Sequence, residues 1–287
     1  MTPIVSAAWL KEHLGEADLQ VIDATWHLAS SNRDALREVE AEHIPGAIHL
    51  DIDKVAATRT EPPYRMLPSP QNFGRMIAAL GIRPAGRLVV YDNMGLYSAA
   101  RVRWMFQVMG HGAVSVLDGG LPAWKAIGGT LESGPVTAPS LADAFPVAPL
   151  PEPTRDWRQV LANITSKKEQ IVDVRPASMF NGDTSNLYAG VRPGHIPGSI
   201  NLSQRDLRNA NHTFKTPQEI RAILEAGGID LDKPVIASCG SGVTACILTL
   251  AFDIVGKKDY ALYDGSWEEW GIRRDLPAEL DGKVVDG

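Results

Sequence analysis

Short apolar runs rich in β-branched residues recur along the chain at Val21-Ile22, Val89-Val90, Ile171-Val172 and Val235-Ile236. Their length and composition suit buried strands rather than helices. Between them lie stretches with apolar residues at helical spacing, such as Gln71 to Leu80 and Pro217 to Ala226. This alternation predicts an α/β fold, a mainly parallel sheet with helices on both faces.

The pattern occurs twice, in the same order. Val21-Ile-Asp-Ala matches Ile171-Val-Asp-Val, and Glu42-His-Ile-Pro-Gly-Ala-Ile-His-Leu matches Gly194-His-Ile-Pro-Gly-Ser-Ile-Asn-Leu. Val89-Val-Tyr-Asp-Asn corresponds to Val235-Ile-Ala-Ser-Cys, and Leu117-Asp-Gly-Gly-Leu-Pro-Ala-Trp to Tyr263-Asp-Gly-Ser-Trp-Glu-Glu-Trp. Two tandem domains follow, over residues 1–133 and 154–287. The stretch 134–153 holds Pro135, Pro139, Pro146, Pro149, Pro151 and Pro153, too many for a helix or a central strand, and is expected to be an extended linker over the surface.

The candidate chemistry sits where the last of the four apolar runs ends, in Ser238-Cys239-Gly240-Ser241-Gly242-Val243-Thr244. Gly240 and Gly242 allow the backbone to curl, so that consecutive N–H groups and a helix beginning near Val243 point at one anion. That anion would be the Cys239 sulfur. The setting favours thiolate over thiol and equally stabilises a persulfide on the same sulfur, which is the chemistry of a nucleophile that carries a group between two substrates. In the first half Asn93 stands opposite Cys239 and Ser98 opposite Thr244, so the first domain is expected to be catalytically silent and to supply one wall of a cleft. Cys246 reads as helix core, with a resolving-thiol role as the alternative.

Composition narrows the partners. The 287 residues are 44% hydrophobic with a net charge of −6, and the basic residues are dispersed, which argues against nucleic-acid and polybasic membrane surfaces. No leader or long apolar stretch is evident, and two cysteines suit a reducing compartment, so a cytoplasmic protein acting on small molecules or proteins is expected.

The paired His-Ile-Pro-Gly motifs, the Asp-Gly-Gly and Asp-Gly-Ser-Trp turns and the Cys239-Gly-Ser-Gly-Val-Thr loop resemble the two-domain rhodanese superfamily over nearly the whole chain. Within it, the loop is similar to that of 3-mercaptopyruvate sulfurtransferases, whereas thiosulfate-specific members carry basic residues there. The resemblance implies a ping-pong reaction through a Cys239 persulfide, with sulfur passing to cyanide, a small thiol or thioredoxin, and no metal or organic cofactor. It also implies a relay of Ser241, a histidine and Asp53. The histidine's place is taken by Arg65, which stays protonated at neutral pH and can stabilise an anion but not shuttle a proton. Two carboxylate-binding arginines of the family are replaced by Met179 and Tyr188, a loss of about 1.5–3 kcal/mol for each charge-assisted contact. Candidate replacements are Arg65, Arg192 and Arg103. The expected substrate-binding set is therefore Gly240, Gly242, Val243, Thr244, Arg65, Arg175 and Arg192, although the family counterpart of Arg175 makes structural ion pairs.

Other residues have simpler readings. His43 and His195 occur in both halves and are expected to fasten loops, Asp23, Asp173, Asp118 and Asp264 to mark strand ends or turns, and Thr244 to cap the helix. Trp267 and Trp270 read as core or cleft wall. A cysteine phosphatase needs an arginine at the end of Cys-x5-Arg, and Ala245 stands there. A non-enzymatic persulfide carrier and a thiosulfate sulfurtransferase remain as alternatives.

Overall fold

The computed structural model describes residues 1–185 and 189–285. The chain forms two compact units: residues 1–57, 67–150 and 209–214 make the first, and 58–66, 151–208 and 215–287 the second. The division is not a single cut between sequential halves, because the segments 58–66 and 209–214 fold with the opposite half.

The first unit holds five parallel strands, β1 (Ile4–Val5), β2 (Leu19–Asp23), β3 (Ile48–His49), β4 (Arg87–Tyr91) and β5 (Val114–Leu117), in the order β1-β5-β4-β2-β3. Its helices are α1 (Ala7–His13), α2 (Ala35–Ala41), α3 (Ile52–Val55), α4 (Pro70–Ala79), α5 (Ala99–Val108) and α6 (Gly120–Ala126). Val21, Val89 and Tyr91 pack with Leu10 of α1 and with Leu121 and Trp124 of α6. Alternation along β4 turns Leu88 and Val90 to the other face, where Phe73 of α4 meets Phe106 of α5 edge to face at 5.3 Å.

The second unit repeats the plan with β6 (Thr154–Arg155), β7 (Gln170–Asp173), β8 (Ile200–Asn201), β9 (Val235–Ser238) and β10 (Tyr260–Tyr263), all parallel, in the order β6-β10-β9-β7-β8. Its helices are α7 (Trp157–Ser166), α8 (Ala177–Phe180), α9 (Pro217–Ala226), α10 (Ala245–Val255) and α11 (Ser266–Ile272), and an antiparallel pair, β11 (Ala278–Leu280) and β12 (Lys283–Val285), follows. Local signals start the helices. Thr216 and Glu219 close a capping box around Pro217 at the head of α9, and Asp156 and Gln159 do so for α7.

Through residue 150 the proline-rich stretch is laced to the first unit. Leu141 and Phe145 donate backbone hydrogen bonds to Ala78 and Gly74 of α4, Ala148 and Leu150 donate to Met109 and Val108, and Val136 and Phe145 are buried. His43 and His195 hold chain to chain: Nδ1 of each meets a backbone carbonyl, Val39 at 2.8 Å and Phe180 at 2.9 Å.

Candidate active site

Strand β9 delivers Cys239 to the carboxyl end of the second sheet, 1% exposed. Of the two loop glycines only Gly242 takes a left-handed conformation, φ +75°, and a Cβ there would lie 2.4 Å from the carbonyl oxygen of Asp264. Gly240 has a φ outside the left-handed region and open space where a Cβ would be, so of the two glycines expected to let the backbone curl only Gly242 takes a conformation that favours glycine. The helix begins at Ala245, two residues later than expected, and Thr244 holds the N-cap position without a side-chain capping bond, so its expected capping role is also corrected.

The loop is held by the start of α11. Trp267 and Glu268 donate backbone hydrogen bonds to the carbonyls of Cys239 (3.0 Å) and Gly240 (2.7 Å). The Ser266 hydroxyl accepts the Cys239 N–H at 3.1 Å, donates to the Tyr263 carbonyl at 2.8 Å and lies 4.0 Å from the Cys239 sulfur. Ser266, which sequence reasoning passed over, has φ +50°, and its counterpart Gly120 has φ +55°. A serine where the first half has a left-handed glycine was the available signal.

In the first unit the equivalent loop is closed by its own side chain. The carboxylate of Asp92 accepts N–H bonds from Met94 (3.0 Å), Tyr97 (2.6 Å) and Ala99 (2.9 Å). Those positions correspond to Gly240, Val243 and Ala245, and Asp92 corresponds to Ser238. Amides of a loop of this type thus converge on one negative charge.

Of the expected arginines, Arg65 belongs to the second unit and its Nη1 lies 3.9 Å from Glu268 Oε2. Arg175 is 3% exposed, makes an ion pair with Asp173 in which Nε (2.9 Å) and Nη2 (2.7 Å) both reach Oδ2, donates to the Gly194 carbonyl and stacks over Trp267 at 4.9 Å. Arg192 donates to the carbonyls of Arg273 and Leu276, beyond α11, and burial followed by repulsion from Arg274 lowers its pKa. Both make contacts to protein groups, and each keeps one buried nitrogen, Nη1 of Arg175 and Nε of Arg192, that makes no hydrogen bond. Arg103, buried on α5, donates to the Val114 carbonyl and to Gln107. Asp53 lies on α3 in the first unit and accepts from Trp26 Nε1 at 2.7 Å. Met179 is on α8, and Tyr188 lies outside the described residues. Ser241 and Val243 are buried in the loop, and the fully buried Cys246 directs its thiol at the Gly242 carbonyl, 3.4 Å away. Trp267 and Trp270 are core residues.

A duplicated parallel α/β unit, with a cysteine at the end of the central strand of only the second copy, defines the class. Residues 6–127 and 156–273 match the rhodanese-like domain, and the chain belongs to that family. Over 98% of its length it is 41% identical to the 3-mercaptopyruvate sulfurtransferase of Homo sapiens, of which the match covers 97%. A thiosulfate sulfurtransferase of Mus musculus is 39% identical over 96% of this chain and 93% of its own. Among solved structures, the 3-mercaptopyruvate sulfurtransferase SseA from Escherichia coli matches with a TM-score of 0.84 at 37% identity, covering 93% of this chain and 99% of that one. The expected tandem fold is borne out, and the enzyme class read from the sequence is the one these relatives carry.

Proposed function

We propose that the protein is a sulfurtransferase that takes sulfur from a small donor acid, 3-mercaptopyruvate foremost, onto Cys239 and passes it to a thiol or to cyanide. The observation that carries this reading is the pair of loops: three amides converge on Asp92 in the first. With Ser238 in place of that aspartate, the corresponding amides of the second loop are left to serve an anion at Cys239.

The Cys239 thiolate attacks the donor sulfur, the new S–S bond forms as the C–S bond breaks, and the electron pair leaves as the pyruvate enolate, which takes up a proton. An acceptor thiolate or cyanide then attacks the outer sulfur, and the returning pair regenerates the Cys239 thiolate. The backbone from Gly240 to Thr244 is the proposed cradle for thiolate and persulfide, Ser241 is the proposed polar group at the leaving enolate, and Arg65 is the proposed fixed charge for the donor anion. Thioredoxin or a small thiol as acceptor, and action in the cytoplasm, belong to the same proposal. Among the described residues no helix is long and apolar enough to cross a membrane, and no cluster of His, Cys, Asp and Glu could hold a metal ion.

Thiosulfate is the second reading. It is favoured by the likeness to the thiosulfate sulfurtransferase of Mus musculus, 39% identical over 96% of this chain. Sulfur-transfer kinetics of wild type and Cys239→Ser, with each donor and with cyanide and a dithiol as acceptors, test both. Preference for 3-mercaptopyruvate, abolished in Cys239→Ser, is the expected result. Preference for thiosulfate would transfer the assignment to the second reading, and undiminished turnover in Cys239→Ser would end both.

A further inference from the structure

Glu268 stands directly behind the cysteine loop. Its backbone N–H holds the Gly240 carbonyl at 2.7 Å, its side chain has no exposed surface, and its Oε2 lies 3.9 Å from Nη1 of Arg65, whose side chain is 11% exposed. The fold itself does not ask for a carboxylate here, because the first unit has Pro122 at the equivalent position of the same turn and helix. Nor is a lone buried carboxylate compatible with anion chemistry next door, since it disfavours both a thiolate and an incoming anionic donor. It becomes useful as the partner of a cation. Arg65 comes from the segment 58–66, which reaches the second unit from the first half of the chain and has no regular secondary structure to orient its side chain.

We propose that Glu268 is the positioning residue that holds the Arg65 guanidinium at the Cys239 loop, so that donor selection depends on a fixed positive charge. This rests on the sulfurtransferase reading and deepens it: the donor is an acid whose departing fragment carries a full negative charge on oxygen, as an α-keto acid thiol does when its enolate leaves. At 3.9 Å the pair is held by charge and not by a tight hydrogen bond. A glutamine of the same shape therefore cannot substitute for Glu268, whereas a lysine retains much of what Arg65 provides.

The test separates the two half-reactions. With 3-mercaptopyruvate, Glu268→Gln and Arg65→Met should each raise KM roughly 10-fold with a smaller change in kcat, and the double variant should be no worse than the worse single. Discharge of preloaded persulfide from Glu268→Gln to cyanide should stay within about twofold of wild type. An unchanged or lowered KM in Glu268→Gln, additive effects in the double variant, or equal damage to loading and discharge would each overturn the proposal. Should Glu268→Gln not fold, Arg65→Lys against Arg65→Met decides: lysine should keep KM within about threefold of wild type, and equal losses in the two variants would overturn it. These outcomes leave the parent reading standing, because that reading falls only if Cys239→Ser still transfers sulfur.

Discussion

Ser266 occupies a backbone conformation that costs an L-residue about 1–2 kcal/mol, where the first unit has Gly120 at φ +55°. Its hydroxyl repays the strain by accepting the buried Cys239 N–H at 3.1 Å, which aligns the nucleophile. Ser266→Ala keeps the strain and orphans that N–H, at about 1–3 kcal/mol, whereas Ser266→Gly loses the bond but relaxes the backbone. Both variants should slow persulfide formation about tenfold in single-turnover loading, with only Ser266→Ala showing a markedly lower melting temperature. The residue opposite Cys239 leads to a pH prediction. Partial burial alone would raise the Glu38 pKa, but hydrogen bonds from Arg33, His27 and Asn93 outweigh it and hold the carboxyl at about 2, against an ordinary 4.5. A depressed carboxylate pKa contributes stability that is complete above pH 4.5 and is lost as the pH falls towards 2. With the side chain 30% exposed, solvent screening discounts the contribution to about 1–2 kcal/mol. Denaturant unfolding of Glu38→Gln should therefore show lower stability than wild type at pH 6 and a smaller gap by pH 3, and parallel curves would refute the linkage.

At the scale of the element, the strand-loop-helix unit β4 to α5 and its copy β9 to α10 differ in what fills the curve of the loop. Asn93→Cys alone should create no transferable sulfur site, because the Asp92 carboxylate still occupies three amides. Asp92→Ser with Asn93→Cys, in a Cys239→Ser background, should restore trapping of one persulfide by an alkylating reagent. Trapping in the Asn93→Cys single variant would show that the amides do not control silence. The strands and helices were legible because Val and Ile runs and capping residues act locally, as at Thr216-Pro217-Gln218-Glu219. The cysteine loop was legible for the same reason, since nucleophile, glycines and helix start lie within seven residues. What escaped depends on meetings between distant segments. Ser266 and Glu268 matter because α11 docks on the loop, and the particular partners of Arg175 and Arg192 were not legible because a long guanidinium finds partners that spacing does not reveal, here Asp173 and the carbonyls beyond α11. The curl was credited to both glycines because only backbone geometry tells φ +75° at Gly242 from a φ outside the left-handed region at Gly240.

At the scale of the whole molecule, the repeat conceals an exchange of segments that the tandem pattern does not announce. Each sheet is built from one half of the sequence, yet residues 58–66 complete the second unit and 209–214 the first. Within the first unit the borrowed segment is well tied: the Phe214 N–H donates to Asp118 Oδ1 at 2.8 Å, and burial raises the pKa of that aspartate. Gly95 also lies so close to His212 that a Cβ would come within 2.5 Å of the histidine's own. In the second unit the borrowed segment brings Arg65 to the buried Glu268. A fragment of residues 151–287 therefore contains every strand of its sheet but lacks Arg65, a cation beside Glu268, and losing one partner of a buried pair costs about 3–5 kcal/mol. That is a large share of the roughly 5–15 kcal/mol that holds a domain together. The fragment should accordingly unfold at clearly lower denaturant concentration than the same unit in the intact chain. Glu268→Gln supplies the discriminating measurement, because one substitution should act with different size in the two settings. In the intact chain it removes a favourable partner of Arg65 and should lower stability. In the fragment Arg65 is absent, so the same substitution should lower stability by clearly less. Equal losses in the two settings would mean that residues 58–66 contribute by packing alone, with no electrostatic part for Arg65 in the second unit.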